Sequence, residues 1–321
     1  MKYTKYIFLF LIAALLLVGC NPQLPGPTTD PTQKTPTSPT SPTQNSTTGK
    51  EPTGTVAPTS GWVKEGENTY YVNADGSRHT GWLELDGTRY YLNESGILQT
   101  GWLKLGDQEY YLQPNGAITR GRATINDRVY YFTSKGAKVL LVNTWNFLPA
   151  EYSPDLVEAE NGYIVDRSCL DALLKMLKDC RNAGYNAQIT SAYRRQETQI
   201  NLYNNKVYYY LNLGYSEEAA RREAATIIAV PGTSEHQLGL AVDLVDNSYW
   251  VLDEAQERTP AQKWLMEHCW EYGFILRYPN DKTSVTGIIY EPWHYRYVGV
   301  ELAMELKGTG LCLEEYLNNL Q

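Results

Sequence analysis

Two short stretches of this 321-residue chain concentrate side chains that bind metal ions or move protons. In Ser234-Glu235-His236-Gln237-Leu238-Gly239-Leu240-Ala241-Val242-Asp243 an imidazole and a carboxylate stand seven residues apart. In Glu291-Pro292-Trp293-His294 a second carboxylate stands three residues before a second imidazole. Zinc takes nitrogen and carboxylate ligands, and a catalytic site leaves its fourth position to water. His236, Asp243 and His294 supply such an open triad, and Glu291 remains free to act as a base. Singly, each of these residues has an ordinary structural use; the two motifs together are what point to chemistry. Residues three apart on a regular strand face opposite ways. Pro292 cannot continue a central ladder, so a bend or bulge is expected there that turns Glu291 and His294 toward one ion.

The elements that must hold these side chains follow from patterning. Asp166 can cap a helix whose apolar positions Leu170, Leu173, Leu174 and Leu177 recur with a 3.6-residue period, and Gly184 suits its stop. A strand-like run spans 187–192, helices are expected over 196–211 and 217–229, and 240–245 alternates as a strand. A further helix spans 260–272 after Thr259, and two strands near Phe274 and Tyr295 close the region. This is an α+β pattern, a small antiparallel sheet with helices, from about residue 145 to 321.

S-x-H-x-x-G-x-A-x-D followed by E-P-W-H resembles the signature of the VanY-like D-alanyl-D-alanine carboxypeptidases, zinc peptidases that include D,D-dipeptidases and L,D-carboxypeptidases. The likeness extends over roughly residues 160–305, through Ser191-Ala192-Tyr193-Arg194, Glu197-Thr198-Gln199, 273–279 and 293–299. It implies that His236, Asp243 and His294 bind Zn2+ and that Glu291 is the general base. It further implies that Arg194, with Gln199 and Ser234 in support, holds a peptidoglycan stem peptide. An Arg fork suits a free C-terminal carboxylate; Arg194 facing a developing oxyanion is the other role open to it. Removal of a terminal D-Ala is the expected activity. L,D-carboxypeptidase action on tetrapeptide stems, a peptidoglycan endopeptidase, and a wall adhesin with an inert peptidase domain are the alternatives.

Upstream the chain repeats with a period of twenty, from Gly61-Trp62, Gly81-Trp82, Gly101-Trp102 and a degraded copy at Gly121-Arg122. Each unit carries a pair, Tyr70-Tyr71, Tyr90-Tyr91, Tyr110-Tyr111 and Tyr130-Tyr131, and a glycine five residues later. Short Trp/Tyr-rich segments broken by Asp-Gly, Asn-Gly or Ser-Gly predict β-hairpins. One hairpin cannot bury its own face, so residues 61–140 are expected to stack as a four-unit solenoid. The units resemble cell-wall-binding repeats of the choline- and glucan-binding kind. That likeness implies a wall polymer, choline or glycan, as partner, with Trp62, Trp82, Trp102, Tyr70, Tyr90 and Tyr110 as candidate walls of cation-binding cages. The same rings must also pack one hairpin on the next. Arg122 in place of Trp marks the fourth unit as a cap or junction.

Lys2, Lys5, an apolar run over 7–18 and Leu17-Val18-Gly19-Cys20 have the order of a secretory signal. A small residue before Cys20 resembles a lipobox, which implies that Cys20 carries a lipid anchor and that the chain is exported, held at the outer face of the cytoplasmic membrane within the wall. Residues 21–60 hold nine of the sixteen prolines and too few apolar residues to fold; they are expected to form a tether that, if mostly extended at about 3.1 Å per residue, reaches roughly 120 Å. The formal charge of -8 and the lack of a basic block argue against nucleic acid as partner. Cys169, Cys180, Cys269 and Cys312 show no C-x-x-C spacing, so a cysteine zinc site is not expected. Cys169 and Cys180 lie on one expected helix about 16 Å apart, leaving free thiols or bonds to Cys269 or Cys312.

Overall fold

In the computed structural model, residues 60–106 and 108–320 are described; the signal sequence, Cys20 and the tether up to residue 59 lie outside them. Four antiparallel hairpins come first: β1–β2 (Gly61–Glu65, Asn68–Val72), β3–β4 (Gly81–Leu85, Thr88–Leu92), β5–β6 (Gly101–Leu105, Gln108–Leu112) and β7–β8 (Gly121–Ile125, Arg128–Phe132). Their tight loops fall at Gly66-Glu67, Asp86-Gly87 and Asn126-Asp127. Asn126 and Asp127 both take positive φ, at 49° and 62°, the conformation whose twist matches that of the flanking strands. Successive units are stitched by Leu98 N–H donating to Thr69 O (2.8 Å) and Ile118 N–H donating to Arg89 O (2.9 Å). The stacked hairpins bury Leu92, Leu112 and Phe132 completely.

The fourth unit is the junction that Arg122 suggests. A two-residue strand β9 (Lys138–Val139) extends its sheet, and Tyr131 and Leu141 join an apolar cluster with Leu302, Leu306, Leu313 and Leu317. Gly121 lies so close to Leu320 that a Cβ would overlap the Leu320 carbonyl oxygen, and its φ is 62°. Only glycine fits both conditions.

A ribbon β10–β11 (Leu156–Glu158, Ile164–Asp166) leads into helix α1 (Arg167–Asn182), where the Asp166 carboxylate accepts from Ser168 N–H as expected of the cap. The buried stripe of α1 is Cys169, Leu173, Met176, Leu177 and Cys180. Leu170 and Leu174, expected in the core, are half-buried at its margin, because the small thiols at 169 and 180 centre the stripe elsewhere. Then follow β12 (Ala187–Ser191), α2 (Gln196–Asn212), α3 (Glu217–Ala225), β13 (Ala241–Asp246), α4 (Pro260–His268), β14 (Phe274–Leu276), α5 (Thr283–Thr286), β15 (His294–Tyr297), α6 (Val300–Leu306) and α7 (Leu313–Asn319). Helix α3 stops four residues short of its expected end. Its last turn runs into β-branched Thr226, Ile227 and Ile228, and Thr226 Oγ donates to Glu223 O at 2.8 Å. The expected helix over 260–272 tightens into a 3-10 turn at Cys269–Tyr272.

The sheet has the order β12-β13-β15-β14 and is antiparallel throughout. Val242, Leu244, Phe274 and Tyr295 face the core shared with α1 and α4, so the alternate residues Asp243, His294, Arg296 and Ile275 occupy the opposite face. Cys169, Cys180, Cys269 and Cys312 are buried free thiols. Among the described residues no helix is long and apolar enough to cross a membrane.

Candidate functional site

Strand pairing builds the centre. Asp243 is register partner to His294 on β15 and to Ser191 on β12. His236 comes from a 3-10 turn, Glu235–Leu238, that ends at Gly239 with φ 75°. A Cβ on Gly239 would lie 2.9 Å from Asp166 N, so the glycine of the motif is what lets this turn press against the cap of α1. Glu291 precedes β15 in a turn closed by His294 N–H donating to Glu291 O at 3.1 Å. The expected bend at Pro292 is therefore a turn, and it leaves Glu291 Oε2 3.5 Å from His294 Nδ1.

Ligand-type atoms of His236, Asp243 and His294 all lie within 4.8 Å of one another, and all three residues are buried. His236 Nδ1 bonds Ala192 O at 2.7 Å, so Nδ1 is the protonated nitrogen and Nε2 points at Asp243 Oδ2, 3.3 Å away. His294 directs Nδ1 at Asp243 Oδ1, 3.1 Å away. Asp243 Oδ1 is buried without a hydrogen-bond partner. Two imidazole nitrogens converging on one carboxylate, with one of its oxygens orphaned, fit a zinc ion in chemistry and spacing.

The local field is strong. Burial is the largest influence on Glu291 and, with Asp243, pushes its carboxyl up to about 8 against the pull of His294 and Arg194. Burial opposes charging of His294, yet the neighbouring carboxylates of Asp243 and Glu235 outweigh it and raise the imidazole to about 9. Burial also lowers His236. Asp243 is held well below the usual carboxylate range, because the two imidazoles overcome its burial.

These groups line a pocket of about 170 Å3 whose walls include Ile228, Leu252, Tyr278 and Trp293. Arg194 and Ser234 also line it. Arg194 Nη2 stands 3.8 Å from Asp243 Oδ2; it donates to Ser191 Oγ (3.0 Å), and Nη1 donates to Gln199 Oε1 (2.9 Å). Gln199, expected at the substrate, lies instead behind Arg194, fully buried, with Nε2 donating to Ala229 O at 2.6 Å. It orients the guanidinium and does not line the pocket. Sequence reasoning missed Glu235, whose carboxylate lies between Arg277 and Arg296. Arg296 stands two residues beyond His294 on β15, hence on the same face, a signal that was available.

A match to the VanY family, described as D-alanyl-D-alanine carboxypeptidase, covers residues 163–300. Cell wall binding repeats match 60–77, 80–98 and 100–118; the hairpin β7–β8 makes a fourth unit. A solved structure of VanYB in complex with D-alanine-D-alanine is 43% identical, with a TM-score of 0.52 over 56% of this chain and 97% of that one. A VanY D,D-pentapeptidase variant from a VanB-type resistance cassette, in complex with Zn(II), is 42% identical, with a TM-score of 0.51 over 56% of this chain and 98% of that one. The chain belongs to the VanY family. A D-alanyl-D-alanine carboxypeptidase of Enterococcus faecalis is 44% identical over 180 residues, 56% of this chain and 65% of the relative's length. The VanY-matched segment contains every candidate peptidase residue, and β15, with His294, lies near its end.

In the repeats the rings group across units. Trp62 packs edge-on against Tyr71 (5.2 Å between centroids) of its own hairpin and Tyr90 (5.0 Å) of the next. Trp82 does so with Tyr91 and Tyr110, and Trp102 with Tyr111 and Tyr130. Tyr90 and Tyr110 are thus where expected, and the second tyrosines complete each set. Tyr70, a candidate wall, has no tryptophan of an earlier unit to pack on; it is 7% exposed, with Arg78 stacked 3.7 Å over its ring. Arg89 lies 4.3 Å over Trp82, and Lys138, paired with Glu109, lies 5.5 Å from Trp102. Among the described residues no cation covers Trp62, which is 40% exposed.

Proposed function

We propose that this protein is a zinc-dependent D-alanyl-D-alanine-type carboxypeptidase that removes the terminal D-Ala of peptidoglycan stem peptides. The observation that carries the reading is the convergence of His236 Nε2, Asp243 and His294 Nδ1, with Glu291 at 3.5 Å and Arg194 at 3.8 Å from members of that set. His236, Asp243 and His294 would hold Zn2+, which would supply Lewis acidity for the scissile carbonyl and for the attacking water. Glu291 accepts the proton of the attacking water and returns it to the departing D-alanine amine. Burial makes the Glu291 carboxylate a stronger base, which favours its taking up that proton. Arg194, held by Gln199 and Ser191, pairs with the terminal carboxylate, and Ser234 adds a hydroxyl at the pocket wall. Ile228, Leu252 and Trp293 exclude water around the C-terminal residue.

The repeats supply location. The sets Trp62/Tyr71/Tyr90, Trp82/Tyr91/Tyr110 and Trp102/Tyr111/Tyr130 offer ring faces to a quaternary ammonium such as choline on a wall polymer. Cys20 as lipid anchor would place the enzyme at the membrane's outer face, with the tether letting it reach the wall.

The reading is tested by incubating the full-length protein with pentapeptide and tetrapeptide stems, with and without chelator, and weighing the products. Loss of one D-Ala from the pentapeptide, abolished by chelator and restored by Zn2+, is expected. Cleavage of the tetrapeptide alone would move the assignment to L,D-specificity, and no cleavage of either would favour an adhesin.

A further inference from the structure

We propose that Glu235 is the positioning residue for His294, holding the metal ligand's imidazole by its far nitrogen; this rests on the zinc-site reading above. His294 turns Nδ1 toward Asp243 and Glu291, so Nδ1 is its metal-side atom. The opposite nitrogen, Nε2, is buried without a hydrogen-bond partner. It faces Glu235 Oε2 at 3.7 Å, and that oxygen too is buried without a partner. A buried donor and a buried acceptor, each otherwise unsatisfied, are complementary, and a closure of several tenths of an ångström brings them to about 3 Å, hydrogen-bond distance. A ligand imidazole that donates its second N–H to a carboxylate is fixed in tautomer and ring plane, and its metal-side nitrogen becomes a better donor.

Glu235 is equipped for that role. Its other oxygen, Oε1, accepts from Arg277 Nε and Arg296 Nη1, each at 2.8 Å, so the carboxylate is clamped on one side and free on the side facing His294. Arg277 Nη1 donates to Glu314 Oε2 on α7 at 2.9 Å, and Arg296 Nη2 donates to Leu140 O at 2.9 Å. Asn143 Nδ2 reaches Glu314 Oε1 at 2.9 Å. Two guanidinium groups thus meet two carboxylates, and the clamp is anchored at Leu140, Asn143 and Glu314, all outside the 163–300 segment of the family match. If the cluster only balanced buried charge, disturbing Glu235 would change stability and leave metal affinity alone.

The test uses the full-length chain and Zn2+ in competition with a chromophoric chelator. Glu235→Gln and Glu235→Asp are expected to weaken zinc binding about 10- to 100-fold. Leu306→Ala, a core truncation matched for loss of thermal stability, should stay within about threefold of the parent. The Asp variant keeps the charge that Arg277 and Arg296 require, so it carries the comparison if the Gln variant does not fold. In the zinc-loaded parent, labelled with 15N, the His294 Nε2–H should give a resonance protected from exchange. Zinc affinity unchanged in both Glu235 variants, or a freely exchanging His294 Nε2–H, overturns this inference alone. Failure of the parent to take up zinc overturns the metal-site reading and this inference with it.

Discussion

The hairpin array and the peptidase centre handle positive charge in opposite ways. In the array Arg78, Arg89 and Lys138 lie on the faces of Tyr70, Trp82 and Trp102, where ring quadrupoles hold a cation that is still partly in water, an attraction of roughly 0.5–1 kcal/mol. In the centre Arg277 and Arg296 are essentially inaccessible and are matched by Glu235 and Glu314 at 2.6–2.9 Å. A loosely held cation can be exchanged for another. A buried and compensated one cannot move without leaving its partner uncompensated, which suits a site whose atoms must stay put. The two regions thus differ in how far their cations are withdrawn from water.

The sharpest way to separate the regions is Glu291→Gln. Turnover should fall about 10²- to 10⁴-fold, with zinc retained and sedimentation with purified walls unchanged; a variant keeping most of its activity would move the base elsewhere. Arg194→Ala comes next. Removing one member of a buried charge pair costs about 3–5 kcal/mol, so amidation of the substrate's terminal carboxylate should slow the native enzyme far more than the variant. Equal slowing of both substrates by the variant would instead assign Arg194 to the oxyanion.

Gly121→Ala probes the seam between the regions. A side chain forced into the left-handed conformation costs about 1–3 kcal/mol, and here the Cβ also meets the Leu320 carbonyl. Thermal unfolding should report a lower midpoint, while Gly61→Ala, whose Cβ would meet nothing within 4 Å, should lose less. The smallest effect belongs to the rings. Trp62→Ala should weaken wall binding by about 0.5–2 kcal/mol, and Trp82→Ala by less, because Arg89 already covers that face. Equal losses would show that the internal cations do not compete with the wall ligand.

What was legible in the sequence divides along the same line. The twenty-residue period and the two metal-site motifs are local patterns, and the hairpins, the cap at Asp166 and the His236/Asp243/His294 cluster appear where those patterns put them. The wall set of each tryptophan was half legible. Period alone cannot say which tyrosine of a pair turns toward it; the cross-strand register Trp62↔Tyr71 and the stacking on Tyr90 decide that. Glu235 was only faintly legible: Arg296 shares the face of His294, but the carboxylate's partners are distant in sequence, with |i−j| of 42 for Arg277 and 61 for Arg296. Only the β14–β15 pairing brings them to one carboxylate. Gln199 carried a motif position but not a contact, since helix α2 buries it behind the arginine it was expected to accompany.

The four buried thiols have a consequence for how such a chain survives outside the cell. Burial pushes Cys169 and Cys269 up to about 12 and Cys312 to about 11, so in the folded protein they are protonated and withdrawn from oxidants, and they do not compete as soft ligands for zinc. No crosslink among them records the native topology. The packing of this part of the chain is therefore defined without a disulfide. Once the chain is unfolded the same thiols become reactive, so the interior protects them from oxidation only while the fold persists.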